Sequence, residues 1–278
     1  MINTQTSAHV LIDLLGQQEE YEKEDLLPRD KGKFIEKLRK TIWAIDNLQQ
    51  RAGIMVEGAT QRIPSLLNNK INAEQKQLYD EMCRTELKQQ RWSDGLVLYT
   101  SLLQDDIKCP MNGIFHILAS AGSLCFLGLA TRQPLRGGID VAWGVELHEN
   151  ELYGAIVARA YKLESKVAQY PRIVVGEYMV DYLKTISETT EQDIFSQNNR
   201  DLSKICLEML HEDIDGRYIL HYLGDGFRRY VSQDQHQSLY DDASVFVFEE
   251  YSKHRRARNT KLAFRYANLI KYFEVHQP

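Results

Sequence analysis

The sequence predicts an α/β or α+β fold in which one sheet is covered by helices. Three observations carry this expectation. Short apolar runs that read as strands alternate with stretches of helical periodicity. At 278 residues and 43% hydrophobic content the chain can bury a sizeable core. Beyond about residue 188 the texture changes to a polar stretch followed by mainly helical patterning.

The elements follow in order. Residues 8 to 16, "AHVLIDLLG", form an apolar run that ends in Gly, the pattern of a buried strand. A charged loop comes next, then Phe34, Leu38, Ile42, Trp43, Ile45 and Leu48 recur at helical spacing over 33 to 50. Residues 72 to 90 carry helix-favouring Glu, Lys and Gln behind Asn72 as an N-cap, and the region from about 55 to 90 reads as a helical insertion. A strand begins at "WSDGLVLYTSL", and an apolar helix over 112 to 131 ends before Pro134. That helix approaches membrane-spanning length, but His116, Ser120, Ser123 and its glycines favour a buried core helix. Two strands flank a turn at 148 to 150, a helix covers 155 to 168, and "YPRIVVG" is a short strand. A linker follows, then a helix near 201 to 212, a strand over 216 to 224 and a helical tail from Ala243 to Phe273. This divides the chain into a catalytic-type domain, 1–188, and a mainly helical extension, 189–278.

Charge and cysteine content exclude several classes. With 34 basic and 39 acidic residues the net charge is −5, so nothing in the overall field favours nucleic acid or an anionic membrane. The four cysteines are widely spaced, which fits reduced thiols in a cytoplasmic protein. No basic n-region precedes the N-terminal apolar run. The eight histidines are scattered without an HExxH-type pair, so a histidine metal site is not expected. The cluster "KHRRARNTK", 253 to 261, reads as the solvated face of a long helix. Asp225, in "GDG", reads as hairpin-turn chemistry, and Glu164 as one half of an intrahelical pair or a dimer contact.

Two aspartates carry the chemical signal. Asp13 sits late in the first strand among Val10, Leu11, Ile12, Leu14 and Leu15, where a carboxylate without a partner would be costly. Asp94 stands at a Ser-Asp-Gly stretch that is either turn chemistry or a ligand site. On neighbouring strands the two carboxylates would suit a pair of Mg²⁺ or Mn²⁺ ions.

Four stretches in order resemble class III nucleotidyl cyclases over about residues 8 to 176. "LIDLLGQ" has the spacing of that family's first-strand motif, and "WSDGLVL" is similar to its Gly-Asp hairpin, with Ser93 in place of the Gly. "RGGIDVAWG" and "ELYGAIVARAYKL" resemble the downstream strand and the strand-helix segment, the latter matching at Gly154, Val157, Ala160 and Leu163. The resemblance implies a palm-like (ferredoxin-like) α+β domain, acting as a head-to-tail homodimer on a nucleoside triphosphate. It implies two divalent ions held by Asp13, Asp94 and the Leu14 carbonyl, with the N–H groups of Leu15, Gly16, Gln17 and Gln18 cradling phosphates. Ala158 stands at the family's Asn position and Lys162 at its Arg position, so either Arg159 supplies the cation, the site is remodelled, or the domain no longer cyclises. Gln90 and Glu151 occupy the base-reading positions, where the family has Lys and Asp. Divergent bacterial relatives include the pyrimidine cyclases of antiphage signalling, which implies cyclic UMP or cyclic CMP as product. The alternative is an inactive cyclase-like nucleotide sensor or interaction module.

Overall fold

The computed structural model describes residues 4–15, 30–60, 73–103, 107–148 and 151–278. The protein is α+β, with eight strands in one mixed sheet. The strands are β1 (Thr4–Leu14), β2 (Lys88–Trp92), β3 (Gly95–Ser101), β4 (Leu135–His148), β5 (Glu151–Tyr153), β6 (Ile173–Val175), β7 (Leu210–Glu212) and β8 (Tyr218–Leu220). The helices are α1 (Lys31–Thr60), α2 (Ala73–Met82), α3 (Met111–Ala130), α4 (Ala155–Lys162), α5 (Glu177–Ser187), α6 (Ile194–Glu208), α7 (His236–Arg256) and α8 (Thr260–Val275). Short helical turns fill 225 to 235.

The sheet runs β2-β3-β1-β4-β6-β8-β7, with β5 paired to β4. β1 is central and antiparallel to both β3 and β4. Its residues alternate between two faces, as a strand requires. Ala8, Val10, Ile12 and Leu14 enter the main core beneath α3, whereas Leu11 packs on the opposite face with Val97, Tyr99, Leu152, Ile156 and Ala160 under α4. Asp13 shares that second face. Helix α4 approaches closely because Gly138 has no side chain; a Cβ there would lie 2.5 Å from the Ala160 carbonyl oxygen.

Among the described residues α3 alone is long and apolar enough to span a bilayer, and it is packed inside the protein, with Ile114, Ile117, Leu118, Phe126 and Leu129 fully buried. That burial accounts for its composition without a membrane. Residues 189–278 add β7 and β8 to the same sheet and α6, α7 and α8 to the same core. Buried Arg172 secures this edge, bonding Asp213 and Asp215 in the β7–β8 hairpin at 2.5 and 2.6 Å.

Several boundaries differ from the sequence expectation. α1 extends to Thr60, ten residues past the expected end. The expected helix over 72 to 90 stops at Met82, and Lys88–Trp92 is a strand, because pairing with β3 overrides the helix propensity of its Lys and Gln residues. Residues 210–212, expected as helix, form β7. The helical tail is two helices, since Arg258 adopts φ +54° and Asn259 caps α8 by accepting from the Leu262 N–H. The basic cluster therefore spans a helix break. Asp225 opens a short helical turn and pairs with Arg228 rather than closing a hairpin. Asn72 lies outside the described residues, as does the charged loop up to residue 29, whereas the end of that loop belongs to α1 from Lys31.

Candidate metal and nucleotide site

Asp13 and Asp94 meet at one end of the sheet. β2 and β3 join through the two-residue turn Ser93-Asp94, closed by the Trp92–Gly95 pair. Ser93 has φ +52°, and Asp94 does not share the positive φ. This is the pattern of a type II′ turn, whose first central position favours glycine. The hairpin tip then lies against β1 because residue 95 is Gly. A Cβ there would collide with the Ile12 carbonyl oxygen and sit 3.4 Å from Asp13 Oδ1. As a result the Asp13 and Asp94 carboxyls are close enough to interact electrostatically.

Two further charged groups complete the cluster. Arg136 on β4 is the register partner of Asp13, with Nη2 3.8 Å from Asp13 Oδ2. Its Nε bonds the Glu164 carboxylate. Glu164 belongs to the π-helical turn Leu163–Val167 that ends α4, closed by the bond from the Ala168 N–H to the Leu163 carbonyl at 2.8 Å. Its side chain is only 3% exposed. The expectation of an intrahelical partner is thus corrected: Glu164 pairs across to the sheet.

The electrostatics follow from crowding. Burial, and then the neighbouring charges of Asp94 and Glu164, raise the Asp13 pKa from 3.8 to about 7 against the opposing pull of Arg136. Glu164 is also raised, first by burial, with Arg136 opposing. Three carboxyl groups face one guanidinium, which leaves the cluster short of positive charge when all are ionised. Adjacent carboxylate oxygens of this kind are the donor set that hard divalent ions prefer. Asp13 and Asp94 thus bring two carboxylates to one corner of the sheet, beside the end of β1 at Leu14.

The other expected residues distribute as follows. Leu15 follows β1 directly, its N–H donating to the Pro134 carbonyl at 3.0 Å, so that group is already engaged within the fold. Gly16, Gln17 and Gln18 lie outside the described residues. Gln90 and Glu151 come together: the Gln90 Oε1 accepts from the Leu152 N–H at 3.0 Å, and exposed Glu151 is the preceding residue. Arg159 is not beside the aspartate pair. Its guanidinium stacks on Tyr178 at 3.7 Å, and Nη1 is 3.9 Å from Asp140 Oδ2. Lys162 and Ala158 are exposed on α4.

Sequence reasoning did not foresee the Arg136–Glu164 pair, although Arg136 sits inside the quoted "RGGIDVAWG". It also did not foresee a second cluster, where His211, His221 and His276 converge with their ligand nitrogens within 4.8 Å of one another.

These features define an α+β protein with a carboxylate pair at the end of an antiparallel strand triplet. Comparison with known proteins adds no family, since no family model, curated protein or solved structure matches the chain.

Proposed function

We propose that the protein is a metal-dependent nucleotide cyclase that converts a nucleoside triphosphate to a 3′,5′-cyclic monophosphate and pyrophosphate. The contact between Asp13 and Asp94 carries this reading, since two carboxylates from separate strands are what a two-ion phosphoryl-transfer site requires. The order β1, helices, β2, β3, α3, β4, arranged in space as β2-β3-β1-β4, supports a palm-like, ferredoxin-like domain. The positive φ at Ser93 supports the hairpin resemblance, because the family's residue there is Gly.

In this reaction the 3′-hydroxyl attacks the α-phosphorus, the bond to the β-phosphate bridging oxygen breaks, and pyrophosphate leaves. Asp13, Asp94 and the Leu14 carbonyl would hold two divalent ions, which supply charge neutralisation for the triphosphate and a better nucleophile. Arg136, itself bonded to Glu164, faces Asp13 from β4. With Gln90 Oε1 engaged by the Leu152 N–H, Nε2 is the donor end of its amide, and Glu151, the residue before Leu152, offers an acceptor carboxylate. Such a donor and acceptor complement the O4 and N3–H of uracil and equally the O6 and N1–H of guanine; the product proposed is a pyrimidine one, cyclic UMP, in antiphage signalling, with cyclic GMP as the competitor that the assay separates. Incubation with each of the four triphosphates and Mn²⁺, read by mass spectrometry, should yield a cyclic monophosphate that Asp94→Asn abolishes. Absence of any cyclic product, together with unchanged nucleotide affinity in Asp94→Asn, would sink the proposal.

A second reading has its own observation. Arg159 is engaged by Asp140 and Tyr178, and Ala158 cannot donate a hydrogen bond, which favours a domain that binds nucleotide without turnover. Tight binding by equilibrium dialysis without pyrophosphate release would select it.

A further inference from the structure

The outer edge of the sheet holds three imidazoles from three separate elements. His211 lies in β7, His221 directly follows β8, and His276 is the C-cap of α8. The hairpin register pairs His211 with Ile219, and the His221 N–H donates to the Met209 carbonyl at 2.8 Å. His211 and His221 are therefore diagonal neighbours on one face, within side-chain reach of each other. α8 then brings His276 over both, with ring centroids 4.9 Å from His211 and 4.3 Å from His221, edge to face in each case. All three rings are half-buried, and their ligand nitrogens lie within 4.8 Å of one another.

We propose that this triad binds a single zinc-class transition-metal dication, with water completing the tetrahedron. Three imidazoles and one open position are a recurrent zinc donor set. Nitrogens about 2.0–2.1 Å from a tetrahedral ion are roughly 3.3 Å apart, so closing the site requires ring shifts of about one ångström. His221 carries the outer bond that oriented metal-binding histidines use: its Nδ1 lies 2.8 Å from the Tyr272 hydroxyl. A bond in which Nδ1–H donates leaves Nε2 free for the ion. Tyr272 is a positioning residue in this arrangement. The ion would clamp the C-terminal helix to the β7–β8 hairpin.

The site is separate from the aspartate pair in place and in chemistry. β7 lies four strands from β1 in the sheet order, roughly 19 Å by strand spacing. Imidazole nitrogens select zinc, nickel, cobalt or copper, whereas the carboxylate and carbonyl set selects magnesium or manganese.

Full-length protein stripped with a chelator and titrated with Zn²⁺ by calorimetry should bind one equivalent, and Co²⁺ should give the visible absorption of a tetrahedral complex. His211→Ala and His276→Ala should each weaken Zn²⁺ binding at least about 100-fold, and Tyr272→Phe by about 10-fold. Zn²⁺ should raise the Tm of the wild type but not of His276→Ala, a variant at a helix end whose apo Tm should match the apo wild type. Asp94→Asn should bind Zn²⁺ normally, so failure here is distinguishable from failure of the cyclase reading. Absence of stoichiometric binding, or equal binding by the His211→Ala/His276→Ala double variant, would overturn the proposal.

Discussion

The Asp13 carboxyl, late in β1, is held beside the Asp94 carboxyl at the tip of the β2–β3 hairpin, and burial and then the Asp94 charge raise the Asp13 pKa. Two acids held this closely cannot both ionise without cost unless a cation joins them. The arrangement therefore costs the metal-free protein stability, and under the proposed function a divalent ion would offset that cost.

That trade has a measurable pH signature. The Asp13 pKa is raised from 3.8 to about 7, so the folded state binds this proton more tightly than the unfolded state does. The stabilisation is complete below about pH 4 and is lost as pH rises through 7. In the absence of divalent ions Asp13→Asn should lack this loss and be more stable than the wild type at pH 8, by about 2 kcal/mol. Mn²⁺ should stabilise the wild type and leave Asp13→Asn unchanged. Thermal melts from pH 5 to 8 with and without Mn²⁺ check both halves, and a wild type less sensitive to pH than the variant would contradict them.

Arg136 holds two of the three acids, so its removal should cost more than a surface ion pair. Arg136→Met leaves Glu164, 3% exposed, without its partner. The expected loss is about 3 kcal/mol at pH 7.5. It should shrink at pH 5, below the raised Asp13 pKa of about 7, where protonation of Asp13 lowers the negative charge that Arg136 offsets. Urea unfolding at the two pH values provides the comparison.

Ser93 has the opposite sign. Its φ of +52° penalises any residue with a Cβ, and glycine relieves that strain. Ser93→Gly should raise stability by about 1 kcal/mol with an unchanged urea m-value, since neither the core nor the exposed surface changes. A loss of stability would show that the Ser93 side chain makes a contact that outweighs the backbone strain.

The sequence made parts of this architecture legible and hid others for physical reasons. β1, β3 and α3 are dense apolar runs whose burial dictates them locally, and Asp13 stands out because a carboxylate has no place in such a run. β2 was hidden because Lys88, Gln89, Gln90 and Arg91 have no strand pattern; only pairing with β3 makes them a strand. For Glu164 the sequence offers an intrahelical pair or a dimer contact and not Arg136, because the π-helical turn and the docking of α4 that aim it there leave no local signature. The histidine triad was invisible for the same reason, since its members come from the middle of β7, the residue after β8 and the C-cap of α8, with no fixed spacing.

Arg159 supplies the last test, because its position separates it from the aspartates of its own chain. It reaches Asp140, which pairs with His9 on β1, whereas Asp13 pairs with Arg136. Four residues along a strand span about 13 Å. An Arg159 that stabilises the transition state would therefore act on the aspartate pair of a second copy, and each site in the dimer would draw on both chains. Arg159→Ala should then lower kcat about 10²- to 10³-fold with little change in KM, while exposed Lys162→Ala should leave kcat within a few-fold. Mixing inactive Asp94→Asn with inactive Arg159→Ala should restore activity, to about one quarter of the wild type when the chains reassociate at random, because each mixed dimer keeps one intact site. No restoration in a mixture shown by native mass spectrometry to contain mixed dimers would place Arg159 outside the chemistry and leave its role as the partner of Asp140 and Tyr178.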